Sequence, residues 1–145
     1  MNEQMDTNAV RRCTCLNIRR TDRVMTQFYD EMLASSGLSS SQFGLLATLA
    51  EAGPITINSL AEIMDMDRTT LTRNLGVLSK QDLVQSREGE DRRTRLVVLT
   101  QEGQEALRRA WPLWQEAQGR IEQTLGRERL DALLSELSAV RVLSR

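Results

Sequence analysis

Cys13 and Cys15 stand one residue apart, with Arg11, Arg12, Arg19 and Arg20 around them. Neighbouring guanidinium groups and a helix N-terminus favour the thiolate, the form that meets oxidants and soft metal ions. These two thiols are therefore the candidate effector or redox site. On one helix they would point about 200° apart, so they pair with each other only if the helix start unwinds; a partner chain is the other option. The competing reading is two small, inert packing side chains. The chain has no histidine. That removes Ser-His-Asp and Cys-His nucleophiles, histidine bases and histidine-ligated metals. No metal centre, no cofactor and no catalytic residue is expected. A cysteine-dependent redox enzyme is the alternative within the enzyme class, and the missing βαβ scaffold speaks against it.

The second constellation is built on arginine. One lysine, Lys80, stands against 18 arginines, and residues 68–95 carry seven basic and four acidic side chains. Wound as a helix at about 100° per residue, Arg68–Lys80 puts Leu71, Leu75 and Leu78 on one stripe. Thr69, Arg73, Gly76 and Lys80 fall opposite, flanked by Thr70 and Thr72. No acid lies between Arg68 and Gln81. Hydroxyls and forked donors suit base edges and phosphates. Further on, Arg92 and Arg93 follow Gly89 at what reads as a hairpin tip, and an arginine on a thin ribbon can enter a narrow minor groove. Asp91 is expected to steady one of them through a salt bridge. Arg87 and Arg95 lie on the strands, within reach of phosphates. A hairpin charged only for solubility is the alternative, since Glu88, Glu90 and Asp91 nearly balance the arginines.

These residues need elements to hold them. The 145 residues suit one domain. Residues 1–9 read as a loose tail, followed by a helix from Val10 to Ala34 with Leu16, Val24, Phe28 and Met32 on one stripe. A second helix spans Ser41 to Glu51, a third Ile57 to Met64. Asp65-Met66-Asp67 makes a turn, and Asp67 caps the Arg68–Lys80 helix. Leu83-Val84 and Leu96–Leu99 are short strands around the charged tip. Thr100 caps a long helix from Gln101 to Leu125, which Pro112 should kink. The last helix, Glu128 to Val142, places Leu130, Leu133, Leu134, Leu137 and Val140 on one face. The order is that of a winged helix-turn-helix: mainly α, with a two-stranded β-wing over residues 40–100. The apolar helices left over, 10–36 and 101–145, are expected to pair with a second copy as the dimerisation region. No apolar run approaches a membrane span, and the polar N-terminus does not read as a signal peptide, so a cytoplasmic protein is expected.

The run Asp91-Arg92-Arg93-Thr94-Arg95-Leu96-Val97-Val98-Leu99-Thr100-Gln101-Glu102-Gly103 resembles the wing signature of the MarR family. Leu60-Ala61-Glu62 and Arg68-Thr69-Thr70-Leu71-Thr72-Arg73-Asn74-Leu75 are similar to its helix-turn-helix, and Gly37-Leu38 with Gln42-Phe43 to its second-helix entry. Over about residues 13–142, the resemblance implies a homodimeric transcriptional regulator, most often a repressor, on pseudo-palindromic double-stranded DNA. It implies Thr69, Thr70 and Arg73 in the major groove and Arg93, positioned by Asp91, in the minor groove. Helix N-termini bind phosphates, which adds Ser40, Gln42 and Thr56. Effectors of the family are often small aromatic molecules in a cleft, and Phe28, Tyr29, Trp111 and Trp114 are the candidates to line one; core or dimer packing is the alternative for them. A departure is Asp65, where many relatives place glycine. A winged-helix module that binds protein instead of DNA is the remaining alternative.

Overall fold

The computed structural model describes residues 5–144. Its element order is α1 (Thr14–Leu33), α2 (Ser40–Ala52), α3 (Ile57–Ile63), α4 (Arg68–Lys80), β1 (Val84–Glu88), β2 (Arg95–Leu99), α5 (Gln101–Leu125) and α6 (Arg127–Val140). Short 3-10 turns precede α1, follow it, and follow α6.

Polar caps set the helix starts. Ser39 and Gln42 form a reciprocal capping box on α2. Thr56 caps α3 and Thr100 caps α5, each accepting from a backbone N–H three residues on. Asp67 caps α4 from both sides: its carboxylate accepts from the Thr70 N–H at 2.9 Å and from the Thr70 hydroxyl at 2.6 Å. These bonds hold the Asp67 carboxyl below the ordinary aspartate range, the hydroxyl contributing most. Asp65 takes the left-handed conformation in the turn before it, with φ 49°.

The core lies between α2, α3, α4, the strands and the first half of α5. Leu46, Leu60, Leu71 and Leu78 are essentially sealed, and each such leucine stabilises the fold by ~1.5–3 kcal/mol. The strands pair antiparallel from Val84↔Leu99 to Glu88↔Arg95. Ile55 adds a bridge on the far side of β2, exchanging two backbone hydrogen bonds with Val97 at 3.3 and 2.8 Å. Gly103 sits where α5 meets the start of β1. A Cβ there would lie 2.0 Å from the Leu83 carbonyl oxygen, so only glycine allows this approach.

Several boundaries differ from the sequence reading. Within residues 1–9, positions 1–4 lie outside the described residues, but Asp6 caps a 3-10 turn over Thr7–Arg12 where a loose tail was expected. Val10 to Ala34 is not one helix. The chain breaks at Cys13, whose backbone is extended (ψ 116°), and α1 starts at Thr14. The Asn17 side chain bridges the break by donating to the Arg11 and Cys13 carbonyls, each at 2.9 Å. Both strands are longer than their apolar cores, because backbone pairing carries Gln85–Glu88 into the ladder whatever their side chains. The last helix ends at Val140 rather than Val142. The helix α5 continues through Pro112 from Gln101 to Leu125. Of the expected dimerisation segment 101–145, Arg145 lies outside the described residues.

Candidate nucleic-acid interface

The register of α4 follows from its leucines. Leu71, Leu75 and Leu78 are buried, which turns Thr69, Thr72, Arg73, Gly76 and Lys80 outward. Arg68 is exposed at the helix start. A Cβ on Gly76 would meet nothing within 4 Å, so nothing inside the chain demands a glycine there. Thr70 differs from its neighbours. It is half-buried and its hydroxyl is bonded to Asp67, so it serves the cap, while Thr69 and Thr72 present free faces.

The wing tip is shaped by a local turn. Asp91 accepts from the backbone N–H of Arg93 at 3.0 Å, and its carbonyl accepts from Thr94 N–H at 2.8 Å. Gly89 N–H closes the loop onto the Thr94 carbonyl at 2.8 Å. The expected salt bridge is thus replaced by an Asx turn: among the described residues Asp91 pairs with no arginine side chain. The physical reason is reach, since a short carboxylate two residues away meets the main chain first. Asp91 still positions Arg93, through the backbone, and leaves the guanidinium free. Arg87 stands opposite Leu96 on the ladder, and Arg87, Arg92 and Arg93 are all exposed. The wing is fixed at its base by the Ile55 bridge and by Thr100, whose hydroxyl donates to the Asp82 carbonyl at 2.5 Å. Neither Ile55 nor Gly103 was singled out from sequence as a support of the wing. The Gly103 of the wing motif was the available signal.

The three N-terminal candidates are already engaged. Ser40 N–H donates to the Asp30 carboxylate at 2.7 Å, which ties α1 to α2. The side-chain Oε1 of Gln42 accepts from Ser39 N–H at 3.0 Å. The Thr56 hydroxyl bonds both the backbone N–H and the hydroxyl of Ser59. Their geometry positions helix starts, with Ser40 and Gln42 partly exposed beside them.

The four aromatic candidates fall into two groups. Trp111 and Trp114 are 4.9 Å apart, and Trp114 stacks on the core residue Phe43 at 5.8 Å. Phe28 meets Tyr29 edge to face at 5.6 Å. Tyr29 donates its hydroxyl to Gln118, linking α1 to α5, and partial burial raises its phenol pKa. No ring contact among the described residues joins the two groups. Cys13 is half-buried and Cys15 exposed, and both are free thiols. Because Cys13 lies outside the helix, the 200° divergence expected of the pair does not apply. No cluster of metal-ligating side chains occurs among the described residues, and no helix there is long and apolar enough to cross a membrane.

Comparison with known proteins places this arrangement. Residues 36–94 match the model of the MarR family. The chain is 36% identical over 87 residues to YwoH, an uncharacterized HTH-type transcriptional regulator of Bacillus subtilis, covering 60% of this chain and 64% of that protein. It is 35% identical to the M. tuberculosis transcriptional regulator MosR, solved in complex with DNA, with a TM-score of 0.80 over 92% of this chain and 98% of that one. A mutant E. coli MarR solved with operator DNA shares the fold at 22% identity, with a TM-score of 0.83 over 94% of this chain and 99% of that one. With a winged helix-turn-helix, an acid-free outer face on α4 and a relative matched along nearly its whole length, the chain belongs to the MarR family of transcriptional regulators.

Proposed function

We propose that the chain is a homodimeric repressor, acting in the cytoplasm on double-stranded DNA with a pseudo-palindromic operator. The observation that carries this reading is the pairing of two exposed basic features on one closed core: the outer face of α4 and the arginine tip of the wing. Thr69, Thr72, Arg73 and Arg68 read or grip the major groove, with Thr70 holding the cap. Arg93, and beside it Arg92, enters the minor groove, and Asp91 aims the loop. Arg87 and the starts of α2 and α3, with Ser40, Gln42 and Thr56, lie against phosphates. MosR, a relative of this similarity, was solved in complex with DNA, which supports DNA as the partner.

Homodimerisation rests on α1 and α6. No residue of α6 is buried, although Leu133, Leu134, Leu137 and Val140 share one side. Release by an effector completes the reading. Oxidant or a soft metal ion at Cys13 and Cys15, at the edge of this region, would alter the spacing of the two recognition helices. A small aromatic ligand near Phe28, Tyr29, Trp111 and Trp114 is the other route. A member of this regulator family is not an enzyme, which sets aside catalysis by the thiols.

The test is binding to duplexes selected by the protein from a random pool, across a salt series. Binding should weaken steeply with salt, and half-sites should lie about one helical turn apart. Arg93→Ala should cost ~1–3 kcal/mol of binding with no change in thermal melting. Wild-type affinity in that variant at every salt concentration overturns the wing assignment. No selected duplex at all overturns DNA binding and leaves the protein-interaction module.

A further inference from the structure

Ion pairs among the described residues are almost all local. Four join side chains within one helix or across the α5–α6 corner. The fifth joins Arg141, just past α6, to Asp65, 76 residues away in the helix-turn-helix. Arg141 Nε–H donates to Asp65 Oδ2 at 2.8 Å, and the terminal Nη2 donates to the same oxygen. Asp65 is held in the left-handed region, where glycine would sit without strain. Its carboxylate provides an anchor that glycine cannot. That anchor lies two residues before Asp67, the cap of the recognition helix. The turn itself is closed by backbone bonds from Asp65 N–H to Glu62 and from Met66 N–H to Ala61.

We propose that Arg141 is a positioning residue for DNA recognition: its grip on Asp65 fixes the end of α6 to the turn that launches α4. The tilt of the recognition helix then follows the C-terminal helix, and so the dimer. This rests on the dimeric, DNA-binding reading above. An exposed pair biases such an equilibrium by about two- to fivefold. It therefore tunes an orientation and does not hold the fold together. The signature is selectivity for half-site spacing, because a helix free to tilt tolerates a wrong spacer.

The experiment uses the full chain with Arg141→Ala, Asp65→Gly, which keeps the left-handed turn, and the double variant. Each is titrated against a duplex selected by the wild type and against the same duplex with its central spacer changed by one base pair. Each single variant should lower the ratio of the two affinities by about two- to fivefold, and the double no further. Dimerisation should not move and melting should not fall, Asp65→Gly being free to gain from the relieved backbone. In the free protein, amides of residues 66–72 should exchange about two- to fivefold faster in Arg141→Ala. An unchanged ratio, or single effects that add in the double, overturns the proposal. Unchanged exchange with normal DNA binding overturns the tie alone. A wild type that selects no duplex overturns the DNA-binding reading and the recognition role with it, whatever exchange shows.

Discussion

The lobe built from α2 to β2 and the region built from α6 and most of α1 treat apolar side chains in opposite ways, Leu33 at the end of α1 already belonging to the lobe's core. In the lobe, Leu46, Leu60 and Leu71 are completely covered by their own chain. In α6, Leu134 is 52% exposed, and Val24 of α1 is 67% exposed. Both regions have amphipathic helices. The lobe closes a core because three helices and a hairpin converge on it. Of the end helices, α6 packs on α5, and α1 packs on α5 and on α2. The contrast teaches that a regular apolar stripe specifies that a helix will be covered, without specifying by which chain.

The sharpest way to break this comparison is to cut each region's leucines in turn. Leu71→Ala should cost ~2–5 kcal/mol of unfolding free energy, because the cavity opens in a sealed core. Urea unfolding at two protein concentrations measures it. Gly103→Ala comes next in the same lobe. The added methyl would meet the Leu83 carbonyl oxygen at 2.0 Å, and backbone must move, at ~1–3 kcal/mol or more. A variant as stable as wild type would mean that α5 and β1 do not approach as described. For the end helices, Leu134→Asp should act through association. Light scattering at micromolar concentration should shift from about twice 16.4 kDa toward one chain, with the dimer weakened ~10-fold or more. A variant that stays dimeric removes α6 from the interface. The smallest effect is at the cap of α4. Asp67 has a depressed pKa, so its contribution is complete above the ordinary aspartate value. It is lost as pH falls through the depressed one. Asp67→Asn should flatten that acidic limb, being slightly less stable than wild type at neutral pH and converging with it in acid. An identical acid profile would show that the cap carries no pH dependence.

Much of the lobe was legible in the sequence. The α4 limits Arg68–Lys80, the Asp67 cap and the three inward leucines follow from helical periodicity and one capping residue, and the structure has them so. The order of elements was legible for the same reason. Three features were not. The break at Cys13 hides inside an otherwise helical pattern, because extended backbone at one residue leaves no periodic trace. The full length of the extension Gln85–Glu88 was not read, although Arg87 and Arg95 were placed on the strands, because these residues are polar and ladder pairing is a backbone property. Asp91 was read through its charge, whereas its proximity to the Arg93 N–H decided its role. Among the candidate site residues, Thr70 shows the limit of face counting: its angle suits the outer side, but a cap two residues upstream of Thr69 claims its hydroxyl.

The helix α5 links the two regions and has 25 residues, about 37 Å of rod. It is clamped at Gly103 against the wing, while its other end carries α6. Near the middle, Pro112 has no N–H to offer the Arg108 carbonyl, so one rung of the helix ladder is missing. Mechanically this is a lever with a soft point near its middle. Force applied to the far end would be spent first in flexing around residues 108–112, and the rotation reaching the wing would be set by that compliance. Restoring the rung with Pro112→Ala would stiffen the lever, making the wing follow any movement of the distal helices more closely.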